Sequence, residues 1–202
     1  MTKTIITSML CAVGLAATSN AASSVVYGNL GANEDGVISN TNTILSTNTL
    51  RAQGFTTGST TLTLQTIKLG LSAGSATNVS VSVYSNNSNK PGTLLFTSSS
   101  VSVSSQALYS FSFTGAELQA STSYWVSPNN DISWHINADE ASPDELNTSG
   151  YAYLGTKQSA NAGTTWTNSA LPYAVSISAA VPEPSSALLS ALGMLALVRR
   201  RR

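Results

Sequence analysis

Apolar and polar residues alternate along much of the chain between Val25 and Ala180. In residues 79–83, VSVSV, three valines alternate with serines, and in residues 109–113, YSFSF, three aromatic residues do the same. Successive side chains of a strand point to opposite faces, so this period of two predicts strands, and no helical period of 3.6 persists. We expect about nine or ten short strands.

Breaks in the alternation mark bulges and turns. The leucine-rich stretch 62–71 changes parity at Gln65-Thr66, which indicates either a bulge or two abutting strands. Turn signals follow in residues 86–92, NNSNKPG, at Thr114-Gly115, in residues 127–131, SPNND, and in residues 142–144, SPD. The pattern predicts an all-β fold, a single jelly-roll-like β-sandwich over residues 23–180.

Composition restricts the possible partners of this domain. The chain has 202 residues, of which 42% are hydrophobic and only 9% are charged, against about 25% charged in ordinary soluble domains. Between Ser23 and Ala180, four basic and eight acidic residues leave a net charge of −4. Such a surface has no basic stripe for a phosphate backbone, so we expect no nucleic-acid partner.

The N-terminal segment 1–22 has the pattern of a secretory signal peptide. Lys3 precedes an apolar run over residues 5–17, and small residues follow, with cleavage expected after Ala21 or Ala22. An uncleaved anchor is the alternative, although the run is short for a span of about 20 residues. The Sec machinery is therefore the expected export partner. Cys11, the sole cysteine, lies within the run.

The C-terminal segment 181–202 combines three features. Pro182 and Pro184 hold Glu183 in an extended conformation. The uncharged residues 185–198 follow, and as a helix they would span about 21 Å against a hydrocarbon core of about 30 Å. The arginines 199–202 end the chain, and the positive-inside rule places them in the cytoplasm. We expect a short C-terminal transmembrane helix; an amphipathic helix packed on the domain is the alternative.

This tail resembles the PEP-CTERM sorting signal of Gram-negative bacteria. The sorting motif consists of Val181, Pro182, Glu183, Pro184 and Ser185, and Arg199, Arg200, Arg201 and Arg202 form the stop-transfer cluster. The resemblance implies a transient hold in the inner membrane, recognition by an exosortase, and release at the cell surface or outside the cell. It also implies an association with exopolysaccharide or biofilm.

The domain resembles a second family, the choice-of-anchor R domain. The resemblance rests on residues 52–58, AQGFTTG, on residues 81–87 leading into 91–95, on residues 111–113 and 123–126, and on Trp166. That family implies a surface domain that precedes different anchoring signals, with no activity to assign to a residue.

Candidate catalytic chemistry is sparse. The only histidine, His135, follows Trp134 on an alternating strand and is expected to face solvent, with Asp131 as the nearest acid for a hydrolytic triad. The acidic stretch 139–145 together with Asp131 could supply oxygens to calcium, although a solvated acidic loop is the more common explanation. We expect no catalytic residue, metal or cofactor, and an extracellular hydrolase is the least favoured alternative.

Aromatic residues are the best candidates for binding. Trp166, Trp134 and Tyr151 could each present a ring to a sugar, while amides bind its hydroxyls. The alternative is that such rings fill the core, which is the expectation for Trp125. We expect a non-enzymatic surface or matrix protein, with a carbohydrate-binding module as the alternative function.

Overall fold

The described part of the protein consists of strands and the loops between them. The computed structural model describes residues 23–30, 38–46, 48–137, 150–170 and 172–180, and these residues contain no helix. The predicted all-β class is confirmed for them. The strands are β1 Ser23–Gly28, β2 Ile38–Ile44, β3 Leu50–Thr56, β4 Leu62–Ser72, β5 Thr77–Val79, β6 Val81–Asn86, β7 Pro91–Thr97, β8 Val101–Val103, β9 Ala107–Leu118, β10 Ser123–Pro128, β11 Ser133–Asn137, β12 Ala152–Ser159, β13 Thr167–Ser169 and β14 Val175–Ala180.

The strands form two six-stranded sheets and one two-stranded ladder, and the pairings are antiparallel. In the first sheet the order is β1-β14-β4-β11-β2, and β9 pairs with the other edge of β4. In the second sheet the order is β13-β12-β3-β10-β6-β7, and β5 pairs with β8. Most neighbours in space are therefore distant in sequence, so the fold depends on long-range pairing.

Strand β4 shows which interpretation of the leucine-rich stretch 62–71 is correct, a bulge or two abutting strands. It is one continuous strand, and between the pairs Leu64–Ala179 and Thr66–Ser178 it has one residue more than β14, so the bulge is confirmed. The register against β9 also shifts between Leu64 and Thr66. The shift also corrects the turn predicted at Thr114-Gly115. Strand β9 continues through this point, and Gly115 adopts a φ of 66° opposite the shift in β4. Between the pairs Leu64–Ala116 and Thr66–Ser112, β9 has two residues more than β4. Such an irregularity needs a local conformation for which glycine is suited.

The valine-serine repeat at 79–83 forms two strands instead of one. Asn129 accepts a hydrogen bond from the Ser80 N–H through its side chain (2.7 Å), and the Asn129 N–H donates to the Ser80 carbonyl (3.0 Å). Because both backbone groups of Ser80 are satisfied by Asn129, the chain leaves the β5–β8 ladder there and enters the second sheet as β6. The alternation predicts strand conformation but carries no information about this change of partner.

Side chains from both six-stranded sheets meet in one hydrophobic cluster. Tyr27 of β1 stacks on Phe55 of β3 with ring centroids 5.5 Å apart, and Phe55 contacts Tyr124 of β10 at 5.8 Å. Leu64 and Ile67 of β4 are fully buried in the same cluster. Full burial of such a side chain stabilises a fold by about 1.5–3 kcal/mol, so this cluster supplies much of the driving force.

Two buried amides connect the sheets. The Tyr173 N–H donates to Gln53 Oε1 of β3 (2.8 Å), and Asn29 Nδ2, just after β1, donates to the Tyr173 carbonyl (3.0 Å). Gln53 Nε2 also donates to the Tyr27 hydroxyl (3.3 Å), and the Val175 N–H donates to Asn29 Oδ1 (3.0 Å). Backbone groups that are buried away from water need partners, and here side chains supply them.

Several predicted segments lie outside the described residues. These are the signal peptide 1–22, the acidic stretch 139–145, the sorting motif, the apolar run 185–198 and the arginine cluster. Within the described ranges, no helix is long and apolar enough to cross a membrane.

Replacing Gln53 by methionine tests the amide connection. Gln53→Met leaves the buried Tyr173 N–H without its acceptor, and an unsatisfied buried donor costs about 1–3 kcal/mol. We expect a fall of this size in the free energy of unfolding, measured with urea. The matched control is Gln65→Met, on the half-buried bulge of β4, for which we expect a change within about 0.5 kcal/mol. Equal losses in the two variants would contradict the assignment.

Candidate functional site

The candidate site is a cleft of about 500 Å³ between two hairpin loops. One loop joins β6 to β7, and the other joins β12 to β13. Residues that line the cleft include Asn86, Asn87, Lys90, Thr93, Thr164 and Trp166. Both loops lie in the second sheet, at β6–β7 and β12–β13, so a rigid scaffold presents them.

The β6–β7 loop is a tight two-residue turn. Ser88 and Asn89 have φ values of 51° and 60°, and the Asn87 N–H donates to the Lys90 carbonyl (2.9 Å). Two consecutive residues with positive φ define a type I′ turn, which matches the twist of a hairpin and favours asparagine. The predicted turn at 86–92 is therefore confirmed, and it fixes Lys90 at the wall of the cleft.

The β12–β13 loop is held by Ser159 and Asn161. Ser159 Oγ accepts hydrogen bonds from the N–H groups of Asn161 (3.3 Å) and Gly163 (2.8 Å). Asn161 Oδ1 accepts from the Thr165 N–H (2.9 Å). A Cβ atom at Gly163 would lie 3.6 Å from Trp166 Cζ2, so the indole packs against this glycine. These contacts hold Trp166 in place at the cleft, where it is partly exposed.

A second tryptophan supports the cleft from below. Trp125 is fully buried and donates from Nε1 to Asn86 Oδ1 (2.9 Å). Its six-membered ring lies against Gly54, where an added Cβ would approach Cη2 and Cζ3 to 2.9 Å. The amine of Lys157 lies 5.8 Å from the Trp125 ring centroid, within the range of a cation–π contact. Trp125 therefore fixes the orientation of the Asn86 amide.

The structure separates the three aromatic candidates. Trp166 lines the cleft, as a binding residue must. Trp134 is wrong as a binding residue, because its ring is fully buried and stacks on Tyr173 at 4.4 Å. Tyr151 is also wrong, because it is only 7% exposed; burial raises the pKa of its phenol, which bonds to the backbone of Gly58. The expectation that Trp125 is buried is confirmed.

His135 does not face solvent as expected. It is only 2% exposed, and its Nε2 lies 2.7 Å from Ser72 Oγ. Strand β11 lies between β4 and β2, and both Trp134 and His135 are buried although they point to opposite faces. Alternation assigns side chains to faces but does not show whether the second face is covered. The imidazole therefore forms an internal hydrogen bond with Ser72.

The asparagines and Lys90 were missed as site residues. The sequence placed residues 86–92 in a turn, and no pattern connects that turn with Trp166. The only feature of the sequence that could have indicated a site there is the number of asparagines in residues 86–92. In the part of the chain that the structure describes, no group of three or more His, Cys, Asp or Glu side chains could hold a metal ion.

The structure describes an all-β domain with a polar cleft, and the segment 181–202 lies outside the described residues. Comparison with protein families identifies the segment. The PEP-CTERM protein-sorting motif matches residues 180–202, which confirms the resemblance of the tail. The motif indicates an extracellular protein that an exosortase processes and sorts to the cell surface. No curated protein matches the chain.

Adding one methyl group at Gly54 tests the support below the cleft. In Gly54→Ala the new Cβ would overlap the Trp125 ring and lie 3.0 Å from Leu154 Cβ. Overpacking of this kind costs about 1–3 kcal/mol, so we expect a corresponding fall in the free energy of unfolding. The control is Gly74→Ala, where nothing lies within 4 Å of the new Cβ. If Gly54→Ala is as stable as this control, the close packing of Trp125 is contradicted.

Proposed function

We propose that this chain is a non-enzymatic matrix protein that binds exopolysaccharide through the Trp166 cleft and takes part in biofilm. The observation that carries this proposal is the cleft itself, a partly exposed indole facing amides, hydroxyls and one amine. The sorting motif supports it, because a protein delivered to the cell surface meets the polysaccharides there.

The lining of the cleft suits a sugar. A tryptophan ring packs against the apolar face of a pyranose, while amides and hydroxyls bond to its hydroxyl groups. Asn86 uses its oxygen for Trp125, so its Nδ2 group remains to donate to a ligand. Asn87 and Thr93 add further polar groups. A volume of about 500 Å³ falls within the range of small-molecule sites and accommodates one or two sugar rings.

The residues of the cleft also favour binding over catalysis. None of its lining residues is a histidine, cysteine or carboxylate, so Lys90 has no second group of this kind beside it in the lining to share general acid–base chemistry. His135 is enclosed within the first sheet, so a substrate in the cleft does not reach it. An extracellular hydrolase is therefore the weaker proposal.

The finer steps of sorting belong to the same proposal. The signal peptide directs the chain to the Sec machinery and is removed after Ala21 or Ala22. Residues 185–198 then hold the protein in the inner membrane, and Arg199–Arg202 stop its transfer. The exosortase recognises the motif at residues 181–185, and the released domain, a β-sandwich of the choice-of-anchor R type, joins the matrix.

Truncation of Trp166 tests the proposed function. We expect Trp166→Ala to lose about tenfold or more of its affinity for immobilised polysaccharide from the native host, because removing one stacking aromatic costs upwards of about 1.4 kcal/mol. Affinity chromatography of the full chain measures this loss. The control is Tyr109→Ala, which removes a partly exposed aromatic side chain from the other six-stranded sheet. Unchanged retention of Trp166→Ala would remove the cleft from the proposal.

A further inference from the structure

A second cavity lies against the same β12–β13 hairpin loop. Its volume is about 220 Å³, and its lining includes Thr49, Arg51, Gln158, Ser159, Thr165 and Thr167. Thr164 and Trp166 line the first cleft, whereas Thr165 and Thr167 line this cavity. The loop therefore contributes alternate residues to two neighbouring sites. We call the second site the Arg51 cavity.

Arg51 is the only arginine between Ser23 and Ala180, and its guanidinium is poorly satisfied. Nη1 donates to the carbonyl of the adjacent Leu50 at 3.2 Å. Nε is enclosed and has no hydrogen-bond partner among the residues that the structure describes. Since an unpaired buried donor is costly, more so when it is charged, this arrangement costs stability in the free protein. Among the described residues Nη2 forms no hydrogen bond, and it is not enclosed as Nε is, so it remains to donate to an acceptor that enters the cavity.

The rest of the lining selects the kind of acceptor. It consists of hydroxyl and amide side chains together with Ala160, and it includes no aspartate or glutamate. Gln158 pairs with Arg51 across β12 and β3, so the two side chains lie on the same face of the sheet. The Gln158 amide forms no hydrogen bond with the described residues and so remains to bond to a ligand. A fixed positive charge with neutral polar neighbours favours an anion with hydroxyl groups.

We propose that the Arg51 cavity binds the carboxylate of an acidic sugar, such as a uronic acid unit of a polysaccharide. A guanidinium matches a planar carboxylate through two parallel hydrogen bonds, and the neighbouring hydroxyl and amide groups match the hydroxyls of the ring. The cavity holds one such unit. This inference rests on the proposed function. It specifies that the polysaccharide is acidic and that it contacts both the Trp166 cleft and the Arg51 cavity, on either side of the β12–β13 loop.

The direct test observes the guanidinium itself. The full chain, labelled with ¹⁵N and kept in a mild detergent, is titrated with sodium glucuronate, and the Arg51 Nε–H signal is followed by NMR. Arg51→Lys removes this signal and so assigns it, while Trp166→Phe assigns the indole signal of the cleft. We expect glucuronate to shift the Arg51 signal saturably and glucose at the same concentration to leave it unchanged.

Variants separate a specific site from general charge attraction. Arg51→Gln should weaken glucuronate binding by about tenfold or more, since a charge-assisted pair is lost. Lys68→Gln, in β4 of the first sheet, removes the same charge and should leave binding unchanged. Arg51→Lys keeps the charge but loses the planar fork, so we expect intermediate affinity. It also serves as the second variant if Arg51→Gln does not fold.

Three outcomes would overturn the assignment. If glucuronate shifts only the Trp166 indole, the sugar binds in the cleft, and the proposed function stands without the Arg51 cavity. If phosphate shifts the Arg51 signal at lower concentration than glucuronate, the cavity is an oxyanion site without preference for a sugar acid. If neither signal moves with glucuronate or glucose, this inference fails, and retention of the chain on polysaccharide decides the proposed function separately.

Discussion

The two six-stranded sheets depend on one buried set of hydrogen bonds around Tyr173. Gln53 accepts a hydrogen bond from the Tyr173 N–H, and Asn29 donates one to the Tyr173 carbonyl; both amides are nearly or fully excluded from water. The chain passes through this point as it leaves β13 in the second sheet and enters β14 in the first. Here the Tyr173 ring also stacks on Trp134. The position of the β12–β13 hairpin, and with it both candidate sites, therefore depends on this connection.

The two hairpin loops that line the candidate sites are held by local contacts. Paired strands hold the two hairpins, a type I′ turn and the Ser159–Asn161 bonds fix their shape, and Trp125 sets the Asn86 amide. With charged residues at only 9% of the sequence, the binding that we propose relies on hydrogen bonds and one aromatic face, with single cations at selected points. Lys90 and Arg51 are such points, and each lines a different one of the two sites. An extended polysaccharide presents repeated hydroxyl and carboxylate groups that match this distribution.

Local features of the sequence were predicted well, and long-range ones were not. The period of two identified strand conformation, and the parity change at Gln65-Thr66 identified the bulge, because both are properties of a few neighbouring residues. The tail was recognised for the same reason, because a sorting signal consists of residues that follow one another in the sequence. The burial of His135 and Tyr151 was missed, because coverage of a face depends on strands elsewhere in the sequence. The cleft was missed as a whole, because Trp166 and Lys90 line the same cleft only after the six strands between them in the chain, β7 to β12, have paired.

The PEP-CTERM motif indicates that this protein is exported, that an exosortase processes its C-terminal signal, and that it is sorted to the cell surface. The most direct measurement is the intact mass of the protein recovered from the surface and medium of its native host. We expect a mass that lacks the first 21 or 22 residues and everything from near Glu183 onward. A protein that keeps Arg199–Arg202 and is found only in the inner membrane would contradict it, because the tail would then be a permanent anchor.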